Sequence, residues 1–306
     1  RSKGPAVRGP RAQADRRLYR QAMLETLKGV ANLTIRAVAV EDMIYGKECV
    51  EGVVTAAGEE IKAGAVVITT GTFMRGVMHI GLTQKAGGRV GDQATEGISQ
   101  QLVAHGFEVK RLKTGTPPRL LRDSIDWSKT KEERGDSIFF PFSFRSERRV
   151  QLPQISCFLT YTNEKTHEII RKNLDKSPMF CGQIEGQGPR YCPSIEDKIT
   201  RFADKTAHQT FLEPEGLSTD SIYLQGISTS LPAETQAEFL RTIVGLENVQ
   251  ILRPGYAVEY DFVEPTQIQH TLEVIDVGSH GRLVHDVLVE YLERNRPGLG
   301  KREKSE

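Results

Sequence analysis

The stretch GPRYCPSIEDK, residues 188–198, sets a thiol between a tyrosine and a proline directly ahead of a helix start. Ser194 followed three positions later by Asp197 is a variant of the capping box, with Asp where Glu or Gln is usual, and it predicts a helix through IEDKITRFAD. Glu196 and Asp197 then fall in the first turn, where acids suit the positive end of the helix dipole. Cys192 lies two residues before the cap and two after Arg190. Dipole and guanidinium both favour thiolate over thiol. Pro193 holds Cys192 in extended backbone outside the helix. Such a thiolate is a nucleophile. The same spacing also suits a cysteine that is only a small buried apolar residue. Two basic clusters offer a different chemistry. Arg1, Lys3, Arg8, Arg11, Arg16, Arg17 and Arg20 stand against the single acid Asp15, and Lys110, Arg111, Lys113, Arg119 and Arg122 form the second group. Strips of this kind engage phosphates, or solvate one face of a helix. Arg119 and Arg122 are the RNA-contact candidates.

The elements that must position these groups follow from periodicity. Residues 11–29 predict an amphipathic helix with Leu18, Ala22, Leu24 and Leu27 among its apolar positions. NLTIRAVAVEDMIY reads as one long strand or a strand pair, followed by CVEGVVTAAG after a turn at GKE. The continuous β-branched run from Ala65 to Thr69 predicts a strand buried on both faces, as in a parallel sheet. It opens into Thr70-Gly71-Thr72, the place where open α/β sheets bind ligands. A glycine-rich stretch, QKAGGRVGDQATEG, precedes a helix ATEGISQQLVAHG and a strand FEVKRL. The paired prolines of KTGTPPRL predict a loop. The strand QISCFLTYT and helix THEIIRKNL read as inserted material, after which DSIYLQGISTSLP and AETQAEFLRTIVGL return to α/β style and VQILRPGYAVEYDFV supplies a strand pair. The expected class is α/β with an inserted α+β segment. The expected spans are 1–122, 123–212 for the insertion, 213–273 for the return, and an atypical tail at 274–306 that is helical at 282–294 and then frayed.

Bulk composition narrows the classes. A chain of 306 residues, 38% hydrophobic and 26% charged, is long enough for about two soluble domains. Its net charge of +1 gives no global field for nucleic acid. Cys49, Cys157, Cys181 and Cys192 have neither CxxC nor zinc-ligand spacing, so reduced thiols and no metal are expected. No apolar run approaches the roughly 20 residues needed to span a bilayer, and no signal peptide is visible. A cytoplasmic protein is expected, mitochondrial in a eukaryote.

GPRYCPSIEDKITRFAD resembles the signature of the tRNA uridine 5-carboxymethylaminomethyl modification enzymes, the MnmG or GidA family. RSKGPAVRGPRAQADRRLYRQAM, VVITTGTFMRGVMHIGL, GGRVGDQATEGISQQL, RLKTGTPPRL, YTNEKTHEIIRKNLDKSPM, FLEPEGLSTDSIYLQGISTSLP and RPGYAVEYDFVEP look like that family in its order, over about residues 1–273. The resemblance implies an FAD/NAD(P)-binding sheet domain of the glutathione-reductase type. It implies a reaction using FAD, NADH and a folate-carried one-carbon unit at carbon 5 of the wobble uridine of tRNA. It also implies a GTPase partner, MnmE, and a homodimer. Residue by residue, Val40 matches a position whose backbone meets the FAD adenine, and Thr95 matches a second FAD contact. Gly71 and Thr72 end the strand that approaches FAD. Val40 equally suits a core position, and Thr95 a helix cap. Gly188, Pro189, Arg190, Tyr191, Cys192, Pro193, Ser194, Ile195, Glu196, Asp197, Lys198, Ile199, Thr200, Arg201 and Phe202 match the NAD segment. A helix N-terminus with free N–H groups there suits a diphosphate. Cys192 matches a cysteine proposed to attack carbon 6 of the uracil.

Two departures stand out. No strand–turn–helix unit carrying the family's G-x-G-x-x-G turn matches in context, and the sequence after TLEV, near residue 274, matches nothing in the family. These leave two further readings: a nucleotide- or RNA-binding module without turnover, and a related folate- and FAD-dependent tRNA methyltransferase. The Cys192 environment generates a direct expectation. Alkylating reagents modify Cys192 faster, and at lower pH, than Cys49, Cys157 and Cys181, as peptide mass spectrometry of a time course measures; equal rates for the four thiols would remove the activated thiolate.

Overall fold

The computed structural model describes residues 11–47, 49–139, 141–143, 152–186 and 193–267. Gly188, Pro189, Arg190, Tyr191, Cys192 and the expected tail at 274–306 lie outside the described residues. Along the chain, α1 (Arg16–Lys28) leads to β1 (Val40–Tyr45), β2 (Val50–Thr55) and β3 (Glu60–Lys62), then β4 (Val77–Ile80), β5 (Thr83–Ala86), α2 (Gly97–Ala104) and β6 (Val109–Thr116). A second body follows with β7 (Arg119–Leu121), β8 (Lys131–Glu133), β9 (Cys157–Tyr161), α3 (Glu164–Lys172), α4 (Ile195–Arg201), β10 (Gln209–Pro214), β11 (Ser221–Gln225), α5 (Ala233–Leu240) and β12 (Ile251–Arg253). The chain then returns to the first body with β13 (Tyr256–Val263).

The second body is built on a six-stranded sheet of order β12-β7-β11-β10-β9-β8. Its strands obey a period of two: Leu212 pairs with Leu224, and Ile222 with Leu120, all fully buried. Helices α3, α4 and α5 cover that face with Ile170, Ile195, Ile199, Phe239 and Leu240. Each such side chain stabilises the fold by about 1.5–3 kcal/mol. The first body holds the meander β1-β2-β3 and a four-stranded sheet of order β5-β4-β13-β6. Helix α2 is clamped to β1: the Gln101 side chain accepts from Met43 N at 2.7 Å and donates to Met43 O at 3.1 Å. Gly97 is required at the start of α2, because a Cβ there would stand 2.3 Å from Glu41 O.

Helix α1 forms as expected but buries no residue. It is held by polar contacts to the second body. Asp15 accepts from Leu18 N at 2.9 Å as the helix cap and from Leu217 N at 2.7 Å, while Arg11 pairs with Glu213 at 2.7 Å and Arg16 with Glu215 at 2.8 Å.

Several expectations are corrected. Among the described residues Ala65–Thr69 has no strand beside it and stays unpaired, with Val67 46% exposed, so it is not a strand buried on both faces. The long strand expected from NLTIRAVAVEDMIY is regular only over its second half. KTGTPPRL is mostly strand: β6 runs to Thr116 and β7 begins at Arg119, leaving the two prolines as the hinge between two sheets. VQILRPGYAVEYDFV does supply two strands, but β12 and β13 belong to different sheets. Strand β10 runs across positions 212 and 213, and the strands of the second body lie between Arg119 and Arg253. Every pairing between these named strands is antiparallel.

Two histidines are packed into the second body beside α3. Thr162 Oγ1 lies 2.7 Å from His167 Nε2, while His167 Nδ1 and His208 Nε2 are buried without partners, and the two rings stand 5.3 Å apart. Burial lowers both pKa values, helped by Arg171 at His167 and by His167 and Lys198 at His208. The unfolded imidazoles protonate near 6.5, and the folded ones only at lower pH. This contribution to stability is therefore complete above pH ~6.5 and is lost as pH falls through the folded pKa. Urea midpoints measured at pH 7.5 and 5.5 should show a smaller acid-side loss for His208→Gln than for the unchanged chain; an equal or larger loss would contradict this.

Candidate functional site

The two bodies meet across a layer of charged side chains. In register on β6 and β13, Arg111 faces Asp261 and Lys113 faces Glu259, and His79 on β4 lies opposite Ala257. His79, Lys113, Glu259 and Asp261 are all buried. Arg111 reaches Asp261 Oδ1 at 2.8 Å and Glu259 Oε2 at 3.2 Å. Glu259 Oε1 accepts from Glu185 N at 3.0 Å and Gly186 N at 2.7 Å, so the sheet grips the segment that precedes residue 187. Gly186 permits this approach, since a Cβ on it would stand 3.1 Å from the Leu112 carbonyl carbon. Burial pushes the His79 pKa down; Glu259 opposes and Arg111 adds to the shift, and neither ring nitrogen has a hydrogen-bond partner. A cavity of about 360 Å³, lined by Arg75, Arg111, Gln183, Glu185, Glu259 and Asp261 among others, opens beside the layer.

Helix α4 closes the other side. Its capping box forms as the sequence predicts: Asp197 N donates to Ser194 Oγ at 3.1 Å and Ser194 N to Asp197 Oδ2 at 3.0 Å. Ile195 N donates to Ser228 O at 2.7 Å. The N–H groups of Ser194, Ile195 and Asp197 at this helix end are therefore bonded within the chain. Ile195 and Ile199 are core residues, Lys198 Nζ donates to Gly226 O at 2.8 Å and Thr200 Oγ1 to Glu196 O at 2.8 Å. Pro193, Arg201 and Phe202 are exposed, with Arg201 3.8 Å from Asp197. Glu196 is fully buried. Its Oε1 accepts from Thr229 Oγ1 at 3.0 Å and Ser230 N at 3.1 Å, and its Oε2 has no partner. Burial pushes this carboxyl above the ordinary range, against the pull of those hydrogen bonds and of the Lys113 charge.

The four FAD candidates are drawn to one place by backbone contacts. Thr95 N donates to Phe73 O at 3.0 Å and Arg75 N to Thr95 O at 2.8 Å, which ties Thr95 to the turn after Gly71 and Thr72. Gly71 has φ +58, with open space where a Cβ would be, and Thr72 Oγ1 donates to Gly88 O at 2.8 Å. Gly97, two residues after Thr95, rests on Glu41 O, next to Val40. Val40 is half-buried against Met43 and its neighbours. The cap position of α2 is Glu96, with no side-chain cap, so capping is not the task of Thr95.

Arg119 and Arg122 are not equivalent. Arg119 is mostly buried, donates to Glu215 Oε1 at 3.2 Å, Thr116 Oγ1 at 2.7 Å and Pro117 O at 2.7 Å, and lies 4.4 Å over the Tyr223 ring. Burial would raise the Glu215 pKa, but Ser221, Arg119 and Arg16 together hold it below the ordinary range. Arg122 donates to Thr219 O at 3.1 Å while its Nε is buried without a partner. Arg17 and Arg20 on α1 are exposed. Cys157 is half-buried, and burial raises its thiol pKa; Cys49 and Cys181 are exposed. Among the described residues no cluster of ligating side chains could hold a metal ion, and no helix is long and apolar enough to cross a membrane.

The family model of glucose inhibited division protein A, GidA, matches residues 1–279. The chain belongs to the GidA family. A curated relative named tRNA uridine 5-carboxymethylaminomethyl modification enzyme MnmG, from Bdellovibrio bacteriovorus, is 65% identical over 272 residues, which is 89% of this chain and 42% of that protein. One of the same name from Thermodesulfovibrio yellowstonii is 53% identical over 274 residues, 90% of this chain and 44% of that protein. Aquifex aeolicus GidA in its form I crystal superposes with a TM-score of 0.83 at 48% identity, covering 92% of this chain and 48% of that one. The chain thus spans less than half the length of these GidA relatives. The α/β class expected from the sequence is the class of the GidA fold it matches.

Sequence reasoning missed His79, Glu259 and Asp261 and gave Lys113 only to a surface cluster. A signal was present: Arg111 and Lys113, and Glu259 and Asp261, each sit two apart, on one face of their strands. The geometry makes Arg119 a structural residue. Arg119→Ala should destabilise the chain by about 2 kcal/mol, since a largely buried carboxylate loses a partner, while Arg17→Ala leaves the urea midpoint unchanged; equal midpoints for Arg119→Ala and the unchanged chain would reject that role.

Proposed function

We propose that this chain is part of an FAD-dependent enzyme that modifies carbon 5 of the wobble uridine of tRNA; its MnmG relatives are named tRNA uridine 5-carboxymethylaminomethyl modification enzymes. The observation that carries the proposal is 65% identity to such a relative across nearly the whole chain. The finer chemistry assigned is addition of a carboxymethylaminomethyl-type group using NADH and a folate one-carbon unit. Val40, Gly71, Thr72 and Thr95 would hold FAD; a glycine turn with open space above it, tied by Thr95 to the start of α2, fits a cofactor that approaches backbone closely. When bound, FAD supplies redox chemistry. Residues 188–202 serve NADH on this reading, with the exposed Pro193, Arg201 and Phe202 available to touch it. Cys192 attacks carbon 6 of the uracil, which makes carbon 5 nucleophilic, and leaves again after carbon 5 has lost its proton. Exposed arginines of α1, Arg17 and Arg20, and Arg122 meet tRNA phosphates. MnmE is the GTPase partner, the assembly is a homodimer, and the setting is cytoplasmic.

Reconstitution tests this. The protein is incubated with FAD, NADH, methylenetetrahydrofolate, MnmE and unmodified tRNA, and the tRNA is digested for nucleoside mass spectrometry. A mass gain confined to the wobble uridine is expected. Cys192→Ser should abolish it while flavin reduction by NADH, followed by absorbance, continues. No gain with the unchanged protein would overturn the proposal, and loss of flavin reduction in Cys192→Ser would assign the segment to the nicotinamide alone.

A further inference from the structure

Helix α1 is 13 residues long and buries none of them. Its Tyr19, Met23, Leu24 and Leu27 are exposed, and so are Leu152 and Ile155. A helix of this length is marginal in water unless an amphipathic face is packed against something. The bonds that Arg16 makes to Glu215 and Asp15 to Leu217 N hold its N-terminal end and leave the apolar face open. A cavity of about 580 Å³ runs along one edge of that face, lined by Leu18, Tyr19 and Ala22 of α1 and by Leu152, Ile155 and Leu217. The helix is also cationic, with Arg16, Arg17, Arg20 and Lys28 against one acid, Glu25. Its occupant has to be apolar on one side and acidic beside it. A second α1 would bring like charge to like.

The chain itself contains a segment of that kind. In residues 282–294, RLVHDVLVEYLER, helical spacing puts Leu283, Val284, Val287, Leu288 and Leu292 on one side. Asp286, Glu290 and Glu293 fall on the other side, with no base between 286 and 293. At 1.5 Å per residue such a helix is about 20 Å long, the length of α1. Gln267, bonded to Glu108, is the last described residue. Residues 268–281 extend to about 45–50 Å, comparable with the diameter of about 50 Å of a compact chain of this length. The segment lies beyond residues 1–279, the span that matches the GidA family. We propose that residues 282–294 dock as a helix on the apolar face of α1. Their leucine side covers Leu24 and Leu27, and their acids lie beside Arg17 and Arg20. The proposed function gives Arg17 and Arg20 to tRNA phosphates, so the docked segment competes with RNA there; only this competition rests on that reading.

Hydrogen exchange of the 306-residue chain, followed by mass spectrometry of peptides that cover α1, tests the docking. The unchanged chain is compared with Leu288→Asp and with the charge reversal Asp286→Lys, Glu290→Lys. Exchange of β10 and β11 serves as the check that the fold is intact. Protection of α1 that does not change on dilution is expected in the unchanged chain. Leu288→Asp should speed exchange of α1 by on the order of tenfold or more, the weight of one leucine-sized side chain leaving an apolar contact. The charge reversal should speed it less, and least at high salt, where exposed pairs are screened. Equal α1 exchange in Leu288→Asp and the unchanged chain overturns the docking. So does protection that vanishes on dilution while sedimentation shows a dimer, which would give the face to a second copy. Fast exchange of α1 in the unchanged chain also overturns it and leaves the face bare. Unchanged tRNA affinity in a Leu288→Asp chain whose α1 has lost protection would sustain the docking and remove only the RNA role of the two arginines.

Discussion

The fold depends on keeping buried charges satisfied on one face of the four-stranded sheet. Arg111, Lys113, Glu259 and Asp261 share one face of β6 and β13, and Lys113, Glu259 and Asp261 are buried there. A buried carboxylate costs several kcal/mol unless it is paired and hydrogen-bonded. The second body supplies much of what is needed: Glu185 N and Gly186 N reach Glu259, and its own buried acid, Glu196, brings a charge opposite to that of Lys113. The bodies are thus fitted by polar geometry, which is directional. An apolar contact of the same area would tolerate small slips; this one fixes the distance between Gly186 and Ser194, and so the two ends that residues 187–192 must join.

Local rules were legible where they act locally. The Ser194–Asp197 box and the helices at 164–172 and 233–240 follow from neighbours a few residues apart. Pairing was not. Ala65–Thr69 has the composition of a buried strand, yet composition cannot say whether another strand lies alongside. The proline pair after Thr116 does stop a strand, but KTGT before it is held by hydrogen bonds to β13, some 140 residues away in sequence, which no local signal announces. The same holds for β12 and β13, adjacent in sequence and joined to different sheets.

The candidate site shows the same division. Motif resemblance marked the segment from Gly188 to Phe202 as functional, and the capping box within it is real. What the residues do there depends on burial. Glu196 reads from sequence as a first-turn acid and is fully enclosed; Arg119, an RNA-contact candidate, lies mostly buried against Glu215. Charge on a strand is ambiguous until the other face is known. Alternation of charges two apart on both β6 and β13 is the pattern that would have exposed the layer in advance.

The order of strands in the four-stranded sheet has a consequence for how the chain is made. Strand β13 lies between β4 and β6, yet it is the last of the four in sequence. On the ribosome, β4 and β6 emerge with their pairing edges open, and the whole of 119–253 must follow before the strand that joins them exists. The second body, with its own sheet and helices, is free to collapse meanwhile. Assembly of the first body then waits on a contact between residues far apart in sequence, the kind that forms slowly and leaves strand edges exposed to other chains. Chaperone demand should therefore peak while that central strand is still inside the exit tunnel.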